Sequence, residues 1–523
     1  MWRKPGNNGL IGIPGHARIA TGGTWRQLGE TSAVSLDSKG IAVTVEPLDL
    51  PLVVDLDGTL LKTDSLDETL LDALRTDPLV LWRLPFKLAA GRAALKAFLA
   101  GRSPPDVETW PVREDFLAYA KAQAEAGRKV VLATASDQAV ADAILRRFPF
   151  IGEAIASRPG HNMKGEAKAR ALLERFPGGF VYAANAAADL PVWQKSAGSV
   201  LVNASEGVMR RVRRLGEPTA VFPRSRITPT VLRRSLRLHQ WVKNILVFVP
   251  LVLGGKAGDA SAWLDAFVGF VALGFTASAM YVFNDLWDLP NDRRHWSKQA
   301  RPLANGDLPL RTGLFFVLVG LLAGFALAAQ VGMGAVGILA VYVAVTLSYS
   351  LAWKRVPILD VFVLAALFTL RLGFGIALTD VRLSPWLLIF SMFVFLSLSV
   401  AKRHTEILRL PEHRLTAMPG RGYVAQDAPL TLGIGLAAML GAVLIMILYL
   451  IEDAFPRGLY ASPGWLWAMP AILFVFLGRI WLFSQRGMLH DDPVAFALKD
   501  KASLCLGLLM AASLAAAFAG LGG

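Results

Sequence analysis

A chain of 523 residues, 54% hydrophobic and only 18% charged, with a mean hydropathy of +0.46, is neither a disordered basic protein nor one ordinary domain. Its 54 Lys and Arg against 40 Asp and Glu leave +14 at pH 7, a sign that suits nucleic acid, anionic lipid or a phosphorylated substrate. The single cysteine, Cys505, excludes a disulfide framework and a cysteine-ligated zinc site. These constraints fit a cytosol-facing membrane enzyme with a soluble part.

Residues 1–48 are Gly-rich and aperiodic and read as a flexible tail, with no apolar run of secretory-signal type. In LPLVVDLDGTL (50–60) a buried apolar strand runs into two carboxylates, a Gly and a Thr. Asp55 and Asp57 therefore stand at the carboxyl end of a strand, where open α/β sheets bind ligands. A carboxylate there is able to attack phosphorus, and a second to protonate the leaving group, with Mg²⁺ offsetting the crowded charge. Downstream, KVVLATAS ends a strand at Thr134, and NMKGEAK supplies Lys164, with Lys168 as the alternative. With these motifs, residues 49–205 resemble the haloacid dehalogenase (HAD) superfamily, which implies an α/β Rossmannoid fold with a helical cap at about 60–128. The resemblance makes Asp55 the nucleophile, Asp57 the acid/base and Thr134 and Lys164 phosphoryl clamps. It puts Mg²⁺ on Asp55, Asp57, Asn185 and Asp189. FVYAANAAADLPVW departs from the family pattern, because Ala184 and Asn185 stand where Gly-Asp is usual. Losing one anionic oxygen weakens the hold on a hard cation.

Within the cap, residues 78–102 carry Arg83, Lys87, Arg92, Lys96 and Arg102 and no acid, among Trp, Phe and Leu. Such a helix suits the headgroup plane of a membrane as well as it suits an ordinary cap. A basic linker (206–230) follows, rich in Arg and attracted to anionic lipid. Apolar runs near 244–255, 262–285, 314–332, 334–353, 358–378, 386–401, 430–451, 465–484 and 502–520 then predict nine transmembrane helices across 231–523. The loops on one side hold Arg293, Arg294, Lys298, Arg301, Arg311, Lys354, Arg355, Lys402, Arg403, Arg409, Arg414, Arg421, Arg486, Lys499 and Lys501. Those on the other hold only Lys256, Arg382 and Arg457. This bias predicts an inner-membrane protein with a cytoplasmic N-terminal domain and the C-terminus outside.

The second span ends in Asn284, Asp285, Asp288 and Asp292, and on one continuous helix residues 284, 288 and 292 would share a face. Stacked carboxylates repel unless a cation sits among them, and Mg²⁺ bound together with substrate phosphates meets that need. Arg293, Arg294, Lys298 and Arg301 follow as partners for diphosphate oxygens. This motif resembles the UbiA-type membrane transferases over about 228–520, an all-α polytopic fold. The match is closer to the phosphoribosyl-transferring branch, the decaprenyl-phosphate phosphoribosyltransferases. LRLHQWVKNILVF, with Arg237, Lys243 and Asn244, resembles that branch's entry segment. DRRHWSKQARPLANG resembles its basic stretch, although Trp296 replaces Pro. Tyr349, Lys354, Asp360 and Arg371 match its second motif, and Lys402, Arg403, Glu406, Asp492 and Pro493 complete the set. Arg371 lies mid-span, where an unpaired charge is costly, so it is expected to pair with a carboxylate or a substrate phosphate.

The resemblance implies that Mg²⁺ on Asp285, Asp288 and Asp292 binds phosphoribosyl diphosphate, whose phosphoribose passes to a polyprenyl phosphate. The fused HAD domain would then remove the 5′-phosphate. Transfer of a prenyl group from its diphosphate to an aromatic or other small acceptor is the alternative reading, and a lipid transporter with a regulatory soluble domain is a third. Nucleic acid is not expected as a partner, for the basic residues form no recognition motif. The sequence is compatible with an oligomer.

Overall fold

The computed structural model describes residues 18–21, 24–27, 33–36, 42–45 and 50–520, apart from 103, 104, 159, 411–417, 419, 490–492 and 498. Arg414 and Asp492 lie outside the described residues. The chain divides into two compact units, Met1–Ile227 with Ala304–Leu310, and Thr228–Leu303 with Arg311–Gly523.

In the first unit, six strands form one parallel sheet: β1 (Leu52–Val54), β2 (Val130–Asp137), β3 (Glu153–Ser157), β4 (Val181–Ala184), β5 (Gly198–Val202) and β6 (Ala220–Phe222). Their order is β6-β5-β4-β1-β2-β3. Every residue of β1 and β4 is buried, because helices cover both faces of a parallel sheet and the strands must be apolar throughout. The chain leaves β1 toward β2 on one side and returns to β4 on the other. That reversal opens a crevice at the carboxyl ends of β1 and β4, where Asp55 and Asn185 lie.

Three boundaries differ from the sequence reading. Instead of an aperiodic tail, residues 18–45 hold two short antiparallel hairpins, Arg18–Thr21 with Thr24–Gln27 and Ala33–Leu36 with Ala42–Val45. The period-two alternation in A-V-S-L and A-V-T-V is too brief to stand out among the glycines. The cap is narrower than 60–128. It comprises Ser65–Thr76, Val80–Ala89 and Arg92–Arg102, packed around Ala73, Val80 and Leu99. Helix Glu114–Glu125 belongs to the sheet core, where the buried Phe116 ring meets Phe222 edge-on at 5.4 Å. The supposed linker contributes helix Glu206–Arg213 and the edge strand β6. Val208, Val212, Ala220 and Phe222 turn inward while Arg210, Arg211 and Arg213 face solvent, so the charge count masked an amphipathic element.

The second unit is helical. Among the described residues eight helices are long and apolar enough to cross a membrane, from Ala260–Trp287 to Lys501–Ala519. A ninth arises if the pair Pro229–Ser235 and Leu238–Leu253, bent by 50°, counts as one span. The break falls at Arg237, whose φ of +48° is left-handed and rare for a residue with a Cβ. Close packing fixes the broken segment. A Cβ on Gly375 would lie 2.2 Å from the Val247 carbonyl oxygen, so only glycine lets helix Leu359–Thr379 approach this closely.

Candidate active sites

The soluble crevice is built from strand ends. Asp55 follows β1, and its backbone N–H donates to the Ala183 carbonyl at 2.9 Å, locking it beside β4. Gly58 has φ +73°, and a Cβ there would sit 2.1 Å from Asn185 Nδ2, so the loop after β1 needs glycine for both conformation and space. The lysine at the site is Lys168, not Lys164. Lys168 Nζ donates to Asp55 Oδ1 at 2.8 Å and Tyr182 OH at 2.9 Å, and stands 3.4 Å from Asp189 Oδ1. Lys164 is exposed, just ahead of the helix, whereas Lys168 falls in the first turn of Glu166–Arg175 on its buried face. Tyr182 OH in turn donates to Asp189 at 2.9 Å.

Asp57 is held differently. Its carboxylate accepts from Ser65 N at 2.8 Å, Ser65 Oγ at 3.0 Å and Ser136 Oγ at 3.0 Å. Thr134 is wholly buried, with its hydroxyl 3.1 Å from Ser136 Oγ, so it reaches Asp57 through Ser136. The register of β2 against β3 shifts between Ala133 and Asp137, an irregularity of the kind that re-aims side chains beside sites. Burial pushes Asp55 up to about 7, with Asp189 and Asp57 adding to the rise and Lys168 opposing it. Burial, with Asp64 adding, also raises Asp57. Burial pulls the Lys168 ammonium down, but Asp55 and Asp189 outweigh it and hold it above its ordinary range. From the cap, Lys96 Nζ donates to the Ala135 carbonyl at 2.5 Å, and burial lowers its pKa. Ser65, Ser136 and Tyr182 escaped the sequence reading, since single polar residues in a helix or strand carry no spacing signal, and Lys96 was read only as one of the cap's basic charges.

In the membrane unit the acidic motif does not run along one helix face. Helix Ala260–Trp287 ends at Asp288, and a short helix, Leu289–Arg294, restarts there. Pro290, lacking an N–H, interrupts the ladder. The carboxylates converge on cations all the same. Arg301 donates to Asp285 at 3.0 Å and to Asp292 at 2.5 Å, Arg237 also bonds Asp285, and Lys354 donates to Asp288 at 2.5 Å. Lys298 stands 3.9 Å from Asp292. Asn284 and Arg293 are half-buried and Arg294 is exposed at the same end of the span. Burial lowers Lys298 and Lys354, with Arg421 contributing to both, and burial raises Asp292.

A second cluster lies around Asp360, which is fully buried. It accepts from Arg403 at 2.9 and 3.0 Å, from Arg421 at 3.3 Å and from the Tyr423 hydroxyl at 2.6 Å. Arg403 also pairs with Glu406, and Arg421 donates to Tyr349 OH at 3.1 Å. Lys402 is half-buried beside them in sequence. Tyr423 was missed, and Arg421 read only as an inside-loop charge, because helices Leu359–Thr379 and Pro385–Leu408 separate both from Asp360 in sequence.

Arg371 is buried, as a mid-span charge must be, but its partners are neutral rather than acidic. It donates to Asn244 Oδ1 at 3.2 Å, the Leu367 carbonyl at 2.5 Å and Tyr342 OH at 3.1 Å, with its guanidinium 5.1 Å from the Phe368 ring centre. Asn244 Nδ2 is buried without an acceptor. Lys243 Nζ stands 5.4 Å from the same Phe368 ring centre. A buried cation and an unused donor together make a site for anionic oxygen. An apolar cavity of about 470 Å³ lies in the same unit, lined by Phe248, Leu372, Phe390, Val394, Met446 and Leu514 among others.

The donor chemistry of both sites suits a hard cation. Asp285, Asp288 and Asp292 offer carboxylate oxygens, and Arg301 already gathers two of them. In the soluble crevice Asp55 and Asp189 offer carboxylates and Asn185 an amide, a weaker set. Among the described residues no three such side chains stand close enough to enclose a metal ion, since ammonium and guanidinium groups occupy the carboxylates.

A profile of the UbiA prenyltransferase family matches residues 245–502, and one of haloacid dehalogenase-like hydrolases matches residues 52–194. The uncharacterized protein y4nM of Sinorhizobium fredii is 42% identical over 465 residues, which are 89% of this chain and 90% of that protein. Nodulation protein NoeC of Azorhizobium caulinodans is 33% identical over 276 residues, 52% of this chain and 87% of that protein. Decaprenyl-phosphate phosphoribosyltransferase of Corynebacterium glutamicum is 36% identical over 179 residues, 34% of this chain and 54% of that protein.

Proposed function

The chain belongs to the UbiA prenyltransferase family and carries a haloacid dehalogenase-like domain ahead of its membrane domain, and on that footing we propose that it transfers phosphoribose from phosphoribosyl diphosphate to a polyprenyl phosphate. The observation that carries this reading is the density of cations around one acidic motif: Arg237, Lys298, Arg301 and Lys354 all reach Asp285, Asp288 or Asp292. A reaction between a sugar diphosphate and a lipid phosphate brings two phosphorylated partners together and needs that much positive charge. The similarity to the Corynebacterium decaprenyl-phosphate phosphoribosyltransferase supports phosphoribosyl transfer to a polyprenyl phosphate.

In the transfer, the bond from ribose C1 to the diphosphate breaks and the diphosphate leaves with the electron pair. A phosphate oxygen of the lipid forms the new bond to C1. Lys298 and Arg301 hold the diphosphate, with Asn284, Arg293 and Arg294 at the same rim. Tyr349, Lys354, Asp360, Lys402, Arg403 and Glu406 position the partner phosphate, and Lys243 and Arg371 meet anionic oxygen deeper in the span. The apolar cavity suits isoprenoid units. Bound Mg²⁺, on Asp285, Asp288 and Asp292 here and on Asp55, Asp57, Asn185 and Asp189 in the soluble crevice, supplies positive charge to phosphate oxygens.

The product keeps a 5′-phosphate, which we assign to the HAD domain. An Asp55 oxygen attacks phosphorus, the phosphorus–ribose oxygen bond breaks, and Asp57 gives its proton to the leaving oxygen. Water then hydrolyses the aspartyl phosphate, with Asp57 recovering a proton and phosphate released. The raised pKa of Asp57 favours its protonated form, as a proton donor requires. Lys168, rather than Lys164, takes the role of phosphoryl clamp. The loop-charge bias supports an inner-membrane protein with this domain in the cytoplasm.

The test is donor choice. Purified protein is given polyprenyl phosphate with radiolabelled phosphoribosyl diphosphate, or an aromatic acceptor with radiolabelled prenyl diphosphate. Label from the first entering the lipid fraction supports the reading, and label moving only from the second favours prenyl transfer.

A further inference from the structure

The cap exposes an apolar surface that the soluble unit does not cover. Helix Val80–Ala89 anchors itself through Val80, which is buried against Ala73 and Leu99. Leu84 packs against the same cluster, while the other large side chains face outward: Trp82 and Phe86 are each 78% exposed, with Leu81, Leu88 and the preceding Leu79 exposed beside them. Soluble surfaces rarely gather so many large apolar groups in ten residues. Arg83 and Lys87 are exposed on the same helix, and no acid occurs between Pro78 and Arg102. Lys96 and Arg102 of the next cap helix are engaged elsewhere, with the Ala135 carbonyl and with Asp77. The charge at this surface is thus positive and local to the apolar helix.

We propose that helix Val80–Ala89 docks on an anionic bilayer surface, with Leu81, Trp82, Phe86 and Leu88 among the acyl chains just below the headgroups and Arg83 and Lys87 on lipid phosphates. Two features select a bilayer over a protein partner. The charge complements anionic lipid, with apolar and basic side chains interleaved as in helices that lie in the interface plane. The same chain also carries at least eight membrane-spanning helices, so a bilayer is always within reach of the soluble unit. Docking bears on substrate class. Lys96, on the next cap helix, bonds the carbonyl of Ala135, next to the Ser136 that holds Asp57. A cap held at the interface opens the crevice toward phosphate monoesters of lipids. This consequence rests on the phosphatase reading, while the docking does not.

The experiment uses the full chain in lipid nanodiscs, with Cys505→Ser and one new cysteine, Leu81→Cys, carrying an environment-sensitive fluorophore. Lys121→Cys, exposed on the same unit, is the control. The expected result is blue-shifted emission at position 81 that is quenched by lipids brominated near the headgroup, more strongly with phosphatidylglycerol than with phosphatidylcholine alone, and no quenching at position 121. Water-like emission at position 81, or blue-shifted emission that brominated lipid leaves unquenched, would overturn the proposal, the second by showing a protein partner such as another copy. A second variant, Trp82→Glu with Phe86→Glu, is expected to remove the quenching and to lower hydrolysis of a vesicle-borne lipid phosphate about tenfold, with hydrolysis of a soluble aryl phosphate unchanged. Absence of all hydrolysis in the unsubstituted protein would count against the phosphatase reading, and the quenching would still decide the docking.

Discussion

Replacing Lys168 with Met tests the soluble crevice most sharply. The ammonium lies 2.8 Å from Asp55 and 3.4 Å from Asp189 and is almost fully buried. At an effective dielectric near 20, a unit pair at that shorter distance is worth about 6 kcal/mol before desolvation is subtracted. Removing one partner of a buried pair leaves uncompensated charge and costs about 3–5 kcal/mol. For a domain of this size that is a fall of about 6–20 °C in the midpoint, read by calorimetry of the full-length protein. Adding Asp55→Asn should recover part of the loss, because one of the stranded carboxylates is then neutral. Lys164→Met, at an exposed position, should change stability by less than about 0.5 kcal/mol. If Lys164→Met proved the costly change and Lys168→Met the silent one, the assignment of the buried lysine would be refuted.

Asp55, held up to about 7 against an ordinary 3.8, binds its proton more tightly in the folded state. Its contribution to stability is therefore fully present below about pH 4 and is lost as pH rises through 7. Metal-free protein should show that decline in denaturant titrations, and Asp55→Asn should flatten it. Gly58→Ala should cost about 1–2 kcal/mol for the left-handed backbone, plus the overlap with Asn185. The double variant Gly58→Ala/Asn185→Ala should relieve only the overlap, again by midpoint. Asp360→Asn strands Arg403 and Arg421 beside a neutral amide, and thermal unfolding of the membrane unit should show a loss of about 3–5 kcal/mol.

The strand-end carboxylates and the acidic span end were legible because each rests on contiguous residues whose spacing survives folding. Asp55 falls after an apolar run that could only be a buried strand, and Asp285 to Asp292 close a long hydrophobic helix. The spans were legible for a similar reason, since length and apolarity alone mark them. What escaped depends on tertiary closure. Ser65 and Ser136 come from different elements, and Asp57 becomes their common acceptor only in the folded sheet. Tyr423 reaches Asp360 from beyond the next helix, Pro385–Leu408. Arg371 was placed correctly inside the bundle, yet a sequence shows no way to tell that its partners are Asn244 and Tyr342 instead of a carboxylate. The choice between Lys164 and Lys168 turned on helix phase, which a Gly165 N-cap with positive φ sets. Strand β6 was hidden because arginines dominate the segment around it.

The identity of the lipid product tests the transfer and the coupled phosphatase together. Mass spectrometry of the lipid fraction, after incubation with phosphoribosyl diphosphate and polyprenyl phosphate, should find a ribosyl-phosphoryl-polyprenol without a 5′-phosphate for the unsubstituted protein, the same lipid with its 5′-phosphate for Asp55→Asn, and neither for Asp288→Asn. Recovery of unmodified polyprenyl phosphate from the unsubstituted protein, with prenyl groups instead moving to a small acceptor, would contradict the transfer. A 5′-phosphorylated product from both the unsubstituted protein and Asp55→Asn would contradict the coupled phosphatase.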